Sequence, residues 1–198
     1  MIKSDWEHFD KQMIRWSSKL SKDVKISEGH TKKIASLIAE EIEKISIQSK
    51  RKIVDGLSDP IFIQDRLDEL IAFQGWMDIA SNLRDPYVVR AQVVVQNYVC
   101  FVYLGESCFK ILKQYAAQGG VVKKCCNFLI NNPVRAFRNA IAHSNWKYGN
   151  DFSSIIYYAK KGHLPSEPMT RWEVSQNDLA FWQALARCTA YVAFSTLK

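Results

Sequence analysis

A chain of 198 residues, 47% hydrophobic and 24% charged, has the length of one domain and the composition of an ordinary globular protein. Its most apolar stretch, "YVVRAQVVVQNYVCFVYLG", is broken by Arg90, Gln92, Gln96 and Asn97, which excludes a membrane span and favours a buried core helix. The net charge of +7 is localised: between Ser107 and Asn150 there is no Asp or Glu, and Lys110, Lys113, Lys123, Lys124, Arg135, Arg138 and Lys147 carry the whole excess. Such a field favours a polyanion such as nucleic acid, and a solvated basic face without a partner is the alternative.

Taken in chain order, "MIKSDWEHFD" is polar from its third residue, so no signal peptide is expected. The segment with Trp6, Phe9, Ile14 and Trp16 is expected to be helical. An amphipathic helix follows from Thr31 to Val54, with Ile34, Leu37, Ile38, Ile42, Ile45 and Ile53 on its apolar side. Asp59-Pro60, Asp85-Pro86 and Asn132-Pro133 each read as a helix start, since Asp or Asn caps free amides and proline tolerates the first helical position. The helix from Pro60 places Ile63, Leu67, Leu70, Ile71 and Met77 at helical steps, and the one from Pro86 runs to about Gln118, where Gly119-Gly120 stops it.

Beyond the motif helix, "IIYYAKKGHLPSEPMTRWEVS" sets β-branched and aromatic residues around a Gly/Pro/Ser-rich turn and predicts a β-hairpin. Ser175 with Asp178 then opens a last helix through Phe181, Trp182, Leu185 and Tyr191. The fold class predicted is all-α, a helical bundle with a small β-hairpin before its last helix. Five cysteines, an odd number without metal-ligand spacing, point to reduced thiols in a cytoplasmic protein.

The helix after Pro133 contains "VRAFRNAIAHS". At about 100° per residue, Val134, Phe137, Ala140 and Ile141 share one side. Arg135, Arg138, Asn139 and His143 fall on an arc of about 140° opposite, which is expected to point away from the core. Asn139 and His143, four residues apart, stack along the helix. Imidazole gives and takes protons near neutrality, and guanidinium forks onto phosphate oxygens. Without nearby carboxylates this pair suits attack of a ribose 2′-hydroxyl on its own phosphodiester better than chemistry on a bound Mg²⁺. His8, His30 and His163 have no partners at catalytic spacing and are expected on the surface.

"RNAIAH" resembles the Arg-x(4–6)-His signature of the HEPN superfamily, in its Arg-Asn-x-x-x-His form. The residues of this chain, shuffled, would give that string in roughly 0.01 of sequences. The resemblance covers about 132–198, the motif-bearing part of a single helical domain spanning 1–198; the first eighty or so residues match only in being helical. It implies an all-helical bundle that pairs with a second copy, so that two motifs face each other across the dimer. For many members it also implies metal-independent endoribonuclease activity with a cyclic phosphate product, as in toxins and phage-defence effectors. On this resemblance His143 is the general acid/base, Arg138 holds the scissile phosphate and Asn139 orients the imidazole or the phosphate. Arg135 helps seat the RNA. The acid-free segment adds Lys123, Lys124 and Lys147 as RNA-binding candidates. Trp146 and Tyr148 either stack on bases or lock the motif helix to its neighbour. Some toxins of the family carry His-x-Tyr here, whereas His143 is followed by Ser144 and Asn145, so that tyrosine's role does not transfer to Tyr148. No metal or other cofactor is expected, and the partners expected are RNA, a second copy and, for a toxin, an antitoxin protein, with no membrane. A non-catalytic HEPN-like module that binds RNA or a protein through the same face is the rival reading. A chance motif on a solvated helix is the third.

Overall fold

A computed structural model describes residues 3–57, 72, 97–149, 153–162 and 164–197. The helix starts expected at Pro60 and Pro86 lie outside these residues, as does His163.

The N-terminal segment is helical, as expected: α1 (Lys3–Met13), a 3₁₀ turn (Ile14–Trp16) and α2 (Ser17–Lys22). The single helix expected over 31–54 is instead a 3₁₀ turn (Glu28–Lys33), α3 (Ile34–Glu43) and α4 (Ile47–Leu57). Two side chains account for the divisions. Asp10 of α1 accepts a hydrogen bond from the Ala35 amide at 2.8 Å and so caps α3 from outside. The Ser46 hydroxyl accepts from the Ser49 amide at 3.2 Å and starts α4 anew. The apolar period runs across the break, and Ile34, Ile38, Ile42 and Ile53 are all buried.

The described part of the next long helix begins at Asn97 and widens into two π-helical stretches, Tyr98–Tyr103 and Gly105–Phe109. It continues as α5 (Lys110–Tyr115) and ends there, earlier than Gln118, because Ala116 turns to extended backbone with ψ 142°. Gly119, at φ 75°, occupies the left-handed region that glycine reaches most cheaply. α6 (Val121–Ile130) is capped in trans by the Glu41 carboxylate of α3, which accepts from the Val121 and Val122 amides, the latter at 2.9 Å. A Cβ on Gly120 would lie 2.6 Å from a Glu41 oxygen, so any other residue there would push the capping carboxylate aside.

After α7 (Val134–Ala142) comes a three-stranded antiparallel sheet in the order β1 (Trp146–Tyr148), β2 (Ser154–Lys160), β3 (Met169–Ser175). The expected hairpin is β2–β3, in register from Ser154↔Ser175 to Lys160↔Met169. β1, paired from Trp146↔Tyr157 to Tyr148↔Ile155, is an addition that three residues of sequence were too short to signal. The last helix, α8 (Gln176–Leu197), opens on the expected box: Ser175 Oγ accepts from the Asp178 amide at 3.0 Å and donates to the Asp178 carboxylate at 2.7 Å. The protein is thus mostly helical, with a small antiparallel sheet before its last helix.

The core joins α3, α6, the π-helical stretches, α7 and α8. It includes all five cysteines, free and buried. Burial pushes the thiols up, Cys100 to about 11 and Cys108 and Cys125 to about 12. No helix among the described residues is long and apolar enough to cross a membrane.

Candidate active site on the motif helix

The start of α7 departs from the expected cap. Pro133 itself takes the cap position, with no side-chain hydrogen bond to the first turn. The Asn132 side-chain amide donates instead to the Lys161 carbonyl at 2.7 Å, and Arg135 donates to the Gly162 carbonyl. Arg135, expected to seat RNA, therefore tethers the β2–β3 turn to the motif helix.

Val134, Phe137, Ala140 and Ile141 are buried, as the helical period requires. Phe137 is the anchor: its ring lies 5.2 Å from Tyr157, 5.7 Å from Phe101 and 5.9 Å from Trp182, with edge-to-face geometry throughout. It thereby ties the sheet, the π-helical stretch and α8 together.

Arg138 does not point away from the core. It is 7% exposed. α7 packs on β2 on one side and on the Tyr98–Tyr103 stretch on another, so the arc expected to face water is partly covered. The arginine stem runs beside Gly105, where a Cβ would come within 3.2 Å of Arg138 Cδ. Asn139 is half-buried, and His143 is exposed. The bond joining that pair is a backbone one, from the His143 amide to the Asn139 carbonyl at 3.1 Å.

His143 is the C-cap of α7. Ser144 follows in the left-handed region, φ 56°. The Asn145 amide reaches back to the Ala140 carbonyl at 2.9 Å and the Ser144 amide to Ile141 at 3.3 Å, a Schellman turn with serine where glycine is usual. Nothing in the order of residue types marked Ser144 or Gly105 beforehand. The signal for the first is conformational and for the second steric.

Trp146 and Tyr148 stand half-buried on β1, 5.4 Å apart edge to face, and pack against the core. Lys147 between them is exposed, while Lys123 and Lys124 are half-buried in the first turn of α6. The Glu41 carboxylate, bound to the Val121 and Val122 amides, brings to that same turn a negative charge that the acid-free run of sequence does not contain. A cleft of about 400 Å³ near the start of α7 is lined by Asp23, Glu173 and Asp178 with Phe128, Pro133 and Trp182, a charge of the wrong sign for phosphate.

Among the described residues no three His, Cys, Asp or Glu side chains gather as a metal site would need. Compared with family models, curated proteins and solved structures, the chain gives no match.

Proposed function

We propose that the chain is a metal-independent endoribonuclease of HEPN type, acting as a homodimer in the role of a toxin or phage-defence effector. The observation that carries this is His143, an imidazole exposed at the end of the helix whose Arg138 and Asn139 complete the Arg-Asn-x-x-x-His string. The Schellman turn at Ser144 ends the helix there and leaves the imidazole open to solvent. In the reaction, His143 takes the proton of a ribose 2′-hydroxyl or delivers one to the leaving 5′-oxygen. The 2′-oxygen bonds to phosphorus, the bond to the 5′-oxygen breaks, and a 2′,3′-cyclic phosphate remains. Arg138 offsets the charge that develops on the phosphoryl oxygens. The two lie five positions apart, about 140° around one helix, so a phosphate that meets both is better served by motifs from two copies.

The burial of Arg138 favours a second reading, a non-catalytic HEPN-like module in which that arginine is structural. Incubating the purified protein with RNA in EDTA separates them. Cleavage leaving a cyclic phosphate end, reduced 10²–10⁴-fold in His143→Ala, is the expected result on the scale of a lost proton-transfer group. Unchanged cleavage in His143→Ala overturns the assignment, and RNA binding without cleavage by the wild type selects the module.

A further inference from the structure

We propose that Gly105 is the positioning residue for Arg138. By lacking a side chain at the joint between two π-helical stretches, it leaves the space in which the arginine stem lies and so sets the direction of the guanidinium.

Glycine inside a helix is disfavoured relative to alanine, so its presence there needs a cause. Backbone freedom is not that cause: Gly119, not Gly105, is the described glycine in the left-handed region. Space is. A Cβ on Gly105 would stand 3.2 Å from Arg138 Cδ and 3.4 Å from Nη1, inside the 3.5–4.0 Å at which non-bonded atoms settle. The contact falls where the stretch Tyr98–Tyr103 gives way, through Leu104, to Gly105–Phe109. Wide π turns are uncommon within helices and recur at functional sites. Two follow each other here, and the buried cation of the motif helix lies against the joint. Arg138 is fixed on the other side by α7 itself, whose neighbour Phe137 is wedged among three aromatic rings. An added methyl would therefore displace the flexible arginine stem before it displaced the helix. A guanidinium moved by a fraction of an ångström keeps its charge but loses alignment with a developing oxyanion.

The catalytic consequence rests on the nuclease reading, whereas the geometric one does not, and the experiment reads both. Gly105→Ala is made alone and on an Arg138→Ala background. Alone, it is expected to shift the Arg138 Nε–Hε resonance in a nitrogen–proton spectrum and to lower Tm. In the Arg138→Ala background the obstruction is gone, and the same substitution should raise Tm through helix propensity. In RNA cleavage, Gly105→Ala should lower kcat about tenfold with KM little changed, and should add nothing to the loss already caused by Arg138→Ala. Loss of fold alone would not produce that split. An equal rise in Tm in both backgrounds, with an unmoved resonance, overturns the proposal. A wild-type chain that cleaves no RNA removes the nuclease reading only, because the resonance and the two unfolding temperatures still decide on Gly105.

Discussion

Ser144 holds a φ of 56° that an L-residue adopts at a cost of about 1–2 kcal/mol, and the two Schellman hydrogen bonds behind it fix that geometry. Ser144→Gly relieves the clash of Cβ with the backbone but adds freedom to the unfolded chain. A net stabilisation of up to about 1 kcal/mol is expected, read as a higher urea midpoint with an unchanged slope. Phe137→Ala should act in the opposite direction, costing about 3–5 kcal/mol, since its fully buried ring joins three elements. Phe137 was legible from the helical period because it faces the body of the molecule. Arg138 was not. A helical wheel assumes one covered side, and α7 is covered on two, by β2 and by the π-helical stretch. Removing Arg138 therefore takes away packing along its stem as well as charge. His143, at the helix end and beyond those neighbours, remained where the wheel put it.

At the scale of elements, helix beginnings decide much of the architecture, and they are made in two ways. α8 carries its own cap, Ser175 with Asp178, so its start could be found from four residues of sequence. α3 and α6 borrow theirs from Asp10 and Glu41, partners far along the chain that no local pattern reveals. Asp178 also pairs with Lys19 of α2, which ties the last helix to the N-terminal segment. Burial opposes its charge, but hydrogen bonds from Lys19 and Ser175, with the charges of Lys19 and Lys22, outweigh this and hold the carboxyl below its ordinary 3.8. A carboxyl lowered by folding contributes its stability in full above its unfolded pKa and loses it as pH falls through the folded one. Asp178→Asn should accordingly be less stable than wild type at neutral pH, and the gap should narrow below about pH 3.8 in chemical unfolding series. The side chains of the pair are substantially exposed, so salt should reduce the gap as well.

Across the whole molecule, the acid-free run of sequence does not become a uniform basic surface. Arg138 is buried, Arg135 binds the β2–β3 turn, Lys113, Lys123 and Lys124 are half-buried, the last two in a turn that also binds the Glu41 carboxylate, and Lys110 and Lys147 are exposed. RNA affinity that uses this face should fall steeply with salt. Charge reversal at Lys123 and Lys124 should weaken binding, measured by fluorescence anisotropy, more than reversal at the exposed Lys32 and Lys33. Equal effects would remove the localised-field argument, and a monomer by light scattering at tens of micromolar would count against paired motifs. The distribution of sulfur has a different use. Cys100 and Cys108 lie in the π-helical region, Cys125 and Cys126 in α6 and Cys188 in α8, every one sealed from solvent and held protonated by burial. Only a thiolate reacts with an alkylating reagent. The native chain therefore carries five silent reporters, and the order in which they are labelled in rising denaturant maps which layer of the interior opens first.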